Sequence, residues 1–278
     1  MSYRHVVVGT DGSATAQRAV TAAGRVAAAL DVPLVVVTAW RRELADPPPR
    51  SEEARYPGGN AASQESHWAV EVTSDAAGAA RRLGVREVRQ AQPIGEPLAA
   101  LLEVVDRHPD ALLVVGTRGL EDAGERLVGN LPHQLTHHSP VDLLLAARPH
   151  TDAGWTTVGL ATDGSRTAAR AVRRGLDLAQ GLTATPVLLT VARDDARGQR
   201  VLAEVAADLG VDGSVRADVV VGGEVARALA TAAAEVDLLV LGNKGMTGPS
   251  RLLGSVANRI THEVPTDLLL VNTTRRRA

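Results

Sequence analysis

The chain repeats itself, and a duplicated sequence can fold in few ways. His5-Val-Val-Val-Gly9-Thr-Asp11-Gly12-Ser13 returns as Val158-Gly-Leu-Ala161-Thr-Asp163-Gly164-Ser165. Leu112-Leu-Val-Val-Gly116-Thr-Arg-Gly119 returns as Leu238-Leu-Val-Leu-Gly242-Asn-Lys244-Gly245, and Arg126-Leu-Val-Gly129-Asn130 returns as Arg251-Leu-Leu-Gly254-Ser255. Thr136-His-His-Ser-Pro140-Val-Asp142-Leu-Leu-Leu145 returns as Thr261-His-Glu-Val-Pro265-Thr-Asp267-Leu-Leu-Leu270. Matches in the same order at both ends mean duplication. The 278 residues then divide into two units, each large enough to bury a core of its own. The expected domains are 1–148 and 154–274, with a short link between them.

Within each copy, short apolar runs alternate with amphipathic stretches of helical period. That alternation is the βαβ signature of a parallel sheet covered on both faces. Strands are expected near 5–9, 33–39, 86–91, 111–116 and 141–146, and again near 157–161, 185–191, 215–221, 237–242 and 266–271. Helices are expected near 13–30, 62–83, 95–107 and 127–138, and near 165–180, 197–209, 223–235 and 253–263. The fold class is therefore α/β, as two tandem doubly wound domains. The copies differ mainly after the second strand, where the first carries a stretch rich in Pro, Gly and charge over 41–63 that reads as a surface loop.

Composition excludes several classes of function. The formal net charge is −2, which leaves no global field to attract nucleic acid or anionic lipid. Phe is absent, and Tyr3, Tyr56, Trp40, Trp68 and Trp155 are the only Tyr and Trp residues, too few for a base-stacking platform. No apolar run approaches the length of a membrane span, and the start lacks the apolar core of a signal peptide. The absence of cysteine removes thiol chemistry and is compatible with a cytoplasmic location.

In open parallel sheets ligands sit beyond the carboxyl ends of the strands, where strand order reverses. Two features of each copy fall there. Asp11 and Asp163 either organise the start of the next helix or hydrogen-bond a ligand hydroxyl such as a ribose. The glycine loop after the fourth strand, Gly116-x-x-Gly119…Gly129-Asn130 or Gly242-x-x-Gly245…Gly254-Ser255, would expose backbone amides at a helix N-terminus that favours anions. Ser255, Arg251 and Lys244, the only lysine, would add to a phosphate site there. No Gly-x-x-x-x-Gly-Lys-Ser/Thr loop and no Gly-x-Ser-x-Gly elbow occurs, so any hydrolysis of a bound phosphate ester is expected to be slow. His133, His137 and His138 have helical spacing that suits either a metal or the helix dipole, and the dipole is the commoner reason. Trp40 and Trp68 flank the 41–63 stretch as anchors or as covers for core edges. Arg275 to Arg277 read as a solvated tail.

The Asp after strand one, the Gly-x-x-Gly…Gly-Ser loop after strand four and the Pro before the last strand together resemble the universal stress protein family, over nearly the whole chain and in its tandem form. The resemblance implies five parallel strands per domain in the order 3-2-1-4-5. It also implies a pseudo-dimer whose final strands meet across a pseudo-twofold, which leaves both a monomer and a homodimer open. The ligand it implies is ATP or a related adenine nucleotide, with or without magnesium, in a regulatory protein of stress or dormancy with an unknown protein partner. By that resemblance Asp11 and Asp163 meet the nucleoside, and the backbone at Ala39 and Val191 meets the adenine. The phosphates fall to Gly116, Gly119, Gly129, Asn130 and Leu131 in the first copy, and to Gly242, Gly245, Gly254, Ser255 and Val256 in the second. Neither copy fits the family pattern fully: the first has Asn130 where a hydroxyl residue is usual, and the second loop is one residue short. Glu121, Asp122 and Glu125 would repel phosphates in the first loop, so the second copy is expected to be the better nucleotide site. A slow ATPase or phosphotransferase, and an interaction module with two decayed sites, remain the alternatives.

Overall fold

The computed structural model describes residues 3–41, 61–117, 131–149, 154–210, 215–243, 254–263 and 265–273. Most of the 41–63 stretch and both glycine loops lie outside these residues. The first half runs β1 (His5–Gly9), α1 (Ala14–Leu30), β2 (Leu34–Val37), α2 (Ala61–Arg82), β3 (Val88–Ala91), α3 (Pro97–Asp106), β4 (Ala111–Gly116), α4 (Leu131–His138) and β5 (Asp142–Ala146). The second runs β6 (Thr157–Ala161), α5 (Arg166–Gly181), β7 (Thr185–Ala192), α6 (Asp195–Leu209), β8 (Arg216–Val221), α7 (Val225–Ala233), β9 (Leu238–Gly242), α8 (Ser255–Glu263) and β10 (Asp267–Val271).

Each half is a parallel five-stranded unit in the order 3-2-1-4-5, as the resemblance implied. The two units are hydrogen-bonded into one ten-stranded sheet, β3-β2-β1-β4-β5-β10-β9-β6-β7-β8. Only the β5–β10 pair is antiparallel among the registered pairs, with Leu143, Leu144 and Leu145 opposite Leu270, Leu269 and Leu268. The long apolar runs follow from burial on both faces. Val6, Val8, Leu112 and Val114 face the cluster built with α1, α2, α5 and α6. Val7, Leu113 and Val115 face the cluster built with α3, α4, α7 and α8. Small residues on α1, Ala19, Ala22, Ala23 and Ala27 among them, are fully or almost fully buried, so the helix sits close on the sheet.

Two expected boundaries shift for identifiable reasons. The β2 ladder ends at Val37 rather than at residue 39, because Thr38 turns its hydroxyl to the Thr10 carbonyl at 2.9 Å. Helix α3 starts at Pro97 rather than at residue 95, since proline suits the first helical turn.

Where the halves meet, the carboxylate at the head of each final strand holds backbone amides just past the end of the other. Asp142 Oδ1 accepts from the Asn272 amide at 2.8 Å, while Asp267 Oδ1 accepts from the amides of Ala147 and Arg148 at 2.8 and 3.0 Å. The second oxygen of each takes an aromatic donor from its own half: Tyr3 Oη at 2.7 Å for Asp142 and Trp155 Nε1 at 2.8 Å for Asp267. Arg174 of α5 adds a cross-joint ion pair to Asp142 at 3.0 Å and lies over the Tyr3 ring. Its counterpart on α1 is Ala22, so this part of the joint is one-sided.

Candidate functional site

The ligand end of the first half is organised by its first turn. Gly12 has φ of +77°, a region that glycine enters without strain. This lets Asp11 Oδ1 accept from the Ser13 amide at 2.9 Å. Ser13 Oγ in turn accepts from the Ala16 amide and caps α1. The second half repeats the arrangement with Gly164 at +80°, Asp163 on the Ser165 amide and Ser165 capping α5. Both structural and ligand roles are therefore open to Asp11: one oxygen orders the turn, and the other has no hydrogen-bond partner among the described residues.

A cleft of about 280 Å³ opens beyond β1 and β4, near the lower end of the ~300–1,000 Å³ typical of small-molecule sites. It brings together Asp11, Ala39, Gly116 and Leu131, four of the residues read from the sequence as a first-copy site. Its walls are mostly apolar, from Val37, Leu101, Val115, Pro97 and Pro132, and hydroxyls of Thr10, Ser13 and Thr15 line its polar side. Sequence reading missed Gly9, Pro97 and Leu101. The Glu96-Pro97 step that starts α3 was the available signal, because it brings that helix to the strand ends.

The Ala39 backbone points into this space. The Val37 carbonyl accepts from the Thr10 amide, and the Thr38 amide donates to the Ala91 carbonyl on the other side. Ala39, next in the alternation, turns back toward β1, and neither its amide nor its carbonyl has a partner among the described residues. A paired donor and acceptor at the end of a strand is the arrangement that reads the edge of a planar heterocycle. Trp40 is fixed by its Nε1 on the Gln92 carbonyl at 3.0 Å, so it anchors the chain beside the cleft, whereas Trp68 is 42% exposed.

Gly116 has a packing role as well. A Cβ there would lie 2.6 Å from the Thr15 carbonyl oxygen and 2.8 Å from its carbon, so the glycine lets the first turn of α1 press on the end of β4. Its counterpart Gly242 is roomier: a Cβ would lie 3.7 Å from the Thr167 carbonyl oxygen.

In the second half Asp163, Val191, Gly242 and Val256 occupy the corresponding places. The Leu189 carbonyl accepts from the Thr162 amide, so Val191, two residues on, faces the same side. The Gly254 amide donates to the Asn243 carbonyl at 2.9 Å, and Ser255 opens α8. Gly119, Gly129, Asn130, Lys244, Gly245 and Arg251 lie outside the described residues, as do the acids of the first loop and the side chain of Ser255. The His133 and His137 rings pack edge-on. Burial and the neighbouring His133 and His138 hold the His137 imidazole below its ordinary value. No metal-sized group of ligating side chains occurs among the described residues.

A doubly wound sheet, an Asp-Gly-Ser turn and a cleft at the strand-order switch together define a doubly wound α/β protein with a concave site at its strand ends. The sequence model of the universal stress protein family matches residues 2–147 and again 154–272, and the chain belongs to that family. It is 33% identical over 150 residues to a universal stress protein of Mycobacterium tuberculosis, covering 52% of this chain and 96% of that protein. A universal stress protein of Archaeoglobus fulgidus shares the whole fold, with a TM-score of 0.71, 18% identity and 96% of each chain covered. A universal stress protein solved in complex with cAMP is 32% identical over 52% of this chain and 97% of its own, with a TM-score of 0.43. No helix among the described residues is long and apolar enough to cross a membrane.

Proposed function

We propose that the chain is a cytoplasmic nucleotide-binding regulatory protein of stress or dormancy response, which takes ATP or a related adenine nucleotide in the first-half cleft. The observation that carries this reading is the Ala39 amide and carbonyl, which have no partner among the described residues and face an apolar cleft with a carboxylate at its mouth. Ala39 reads the base edge, Asp11 accepts from a ribose hydroxyl, and the phosphates lie toward the start of α4 at Leu131. None of the described residues lining the cleft is cationic, and magnesium entering with a triphosphate would offset its charge. The bound nucleotide sets the conformation of the 41–63 stretch or of the joint between halves rather than undergoing rapid chemistry.

The test is calorimetric titration of MgATP, and of cAMP as a smaller anion, into the full chain and its Asp11→Ala variant. Losing a charged acceptor for a ribose hydroxyl is expected to weaken binding about tenfold, from ~1.5 kcal/mol. The fold survives, since Asp11 is exposed and Ser13 still caps α1. Equal affinity in the two proteins would remove Asp11 from the site. A wild-type chain that takes up neither nucleotide would instead support an interaction module with decayed sites.

A further inference from the structure

The strand ends that frame the first-half cleft have an equivalent frame in the second half, built with different side chains. Strand registers fix the correspondence: Gly9 pairs with Val37 across β1–β2 as Ala161 pairs with Leu189 across β6–β7. Val8 stands against Val114 as Leu160 stands against Val240. Counting from these pairs, Gly9, Val37, Ala39 and Val115 on the strand-borne floor of the first cleft are answered by Ala161, Leu189, Val191 and Leu241. All four replacements are larger. On the helix-borne wall Pro97, Leu101, Leu131 and Pro132 are answered by Val225, Leu229, Val256 and Ala257, none larger in carbon count, so the added bulk falls on the floor, where a planar base would lie.

Gly9 shows how little room is to spare. A Cβ there would sit 3.0 and 3.2 Å from the two methyls of Leu101 and 3.4 Å from Val115 Cγ1. Ala161 already carries that atom in the second half. The mouth differs too. Glu224 at the start of α7 is ion-paired with Arg259 of α8 and ties the two flanking helices together. In the first half the equivalent Glu96 turns away to Arg41, and Gln134 replaces the arginine.

We infer that the first half alone takes the base, so that the chain binds one adenine nucleotide rather than two. The inference rests on the proposed function and reverses the preference read from Lys244, Arg251 and Ser255. Those residues address phosphate, whereas the floor decides whether a base can lie down.

The experiment uses MgATP with the full chain. Stoichiometry is read by calorimetry, and 2-azido-ATP labelling followed by peptide mass spectrometry locates the base. The expected result is one nucleotide per chain with label confined to the first half. In a Gly9→Ala/Ala39→Val chain, whose floor copies the second half, affinity falls about tenfold or more. Two nucleotides per chain, or label in the second half, would overturn the inference and leave the nucleotide-binding reading standing. Should the double variant fold poorly, the wild-type stoichiometry and label position still decide. A wild-type chain that takes up no MgATP would overturn both.

Discussion

Replacing Asp142 with Ala should destabilise the chain by about 3–5 kcal/mol, the usual cost of leaving buried charged and polar partners without their counterpart. Tyr3 Oη, the Asn272 amide and Arg174 Nε each lose a bond to this carboxylate, and Tyr3 is almost fully buried. Denaturant unfolding followed by tryptophan fluorescence measures the loss, because Trp155 lies in the same joint. A loss below about 1 kcal/mol, the scale of one neutral hydrogen bond, would show that the joint does not depend on this carboxylate.

The same residue carries a pH signature. Burial raises the Asp142 carboxyl above its ordinary 3.8, against the opposing pull of Arg174, Tyr3 and the Asn272 amide. The folded chain therefore holds the proton more tightly than the unfolded chain. Stability contributed by this group rises as pH falls from above the folded value, and the gain is complete below 3.8. An Asp142→Asn chain lacks that gain, so the wild-type curve should climb relative to it on acidification. Comparison with the Asn chain is needed because Asp237 works in the opposite sense. Its burial is outweighed by bonds from Thr156 and Thr157 that hold it below its ordinary value, so its contribution is lost in acid. Parallel curves for the two chains would contradict the account of Asp142.

The second large effect is expected at Gly116. An added methyl would collide with the Thr15 backbone, which cannot rotate aside as a side chain can. Overpacking of this kind costs about 1–3 kcal/mol, and relief requires α1 to move its capped end away from β4. That end supplies Ser13, Thr15 and Ala16 to the cleft, so Gly116→Ala should lose nucleotide affinity along with stability. Gly242→Ala is the internal comparison. Its new atom meets the Thr273 methyl at 3.1 Å and the Thr167 carbonyl oxygen only at 3.7 Å, and its cost should be clearly smaller. Equal losses at the two glycines, measured by thermal unfolding, would mean that the close approach of α1 is not what Gly116 serves.

Much of this architecture was legible because it is local and repeated. Continuous apolar runs such as Leu112–Val115 locate strands buried on both faces, and Asp-Gly-Ser marks the same turn twice. What could not be read depends on which residues meet across the sheet. Asp142 and Asp267 are visible as matched positions, but their clasp on the opposite strand exists only once β5 and β10 pair antiparallel. Arg174 looks like one more exposed arginine on a helix until Tyr3 and Asp142 are brought beneath it. The difference between the two strand-end frames was hidden for the same reason: Gly9, Val37, Ala39 and Val115 lie at the ends of three strands, and their enlargement in the second copy matters only when registers place them side by side. Charged loop residues, prominent in the sequence, address phosphate and favour the second copy.

The central claim is that the Ala39 backbone in the first-half cleft receives the base. Amide chemical shifts of the ¹⁵N-labelled full chain, followed during MgATP titration, test it most directly. The expected result is a saturable shift of the Ala39 amide together with those of Gly116 and Leu131, while Val191 and Gly242 stay in place. Shifts confined to Val191, Gly242 and Val256, or none at any of these amides, would contradict it.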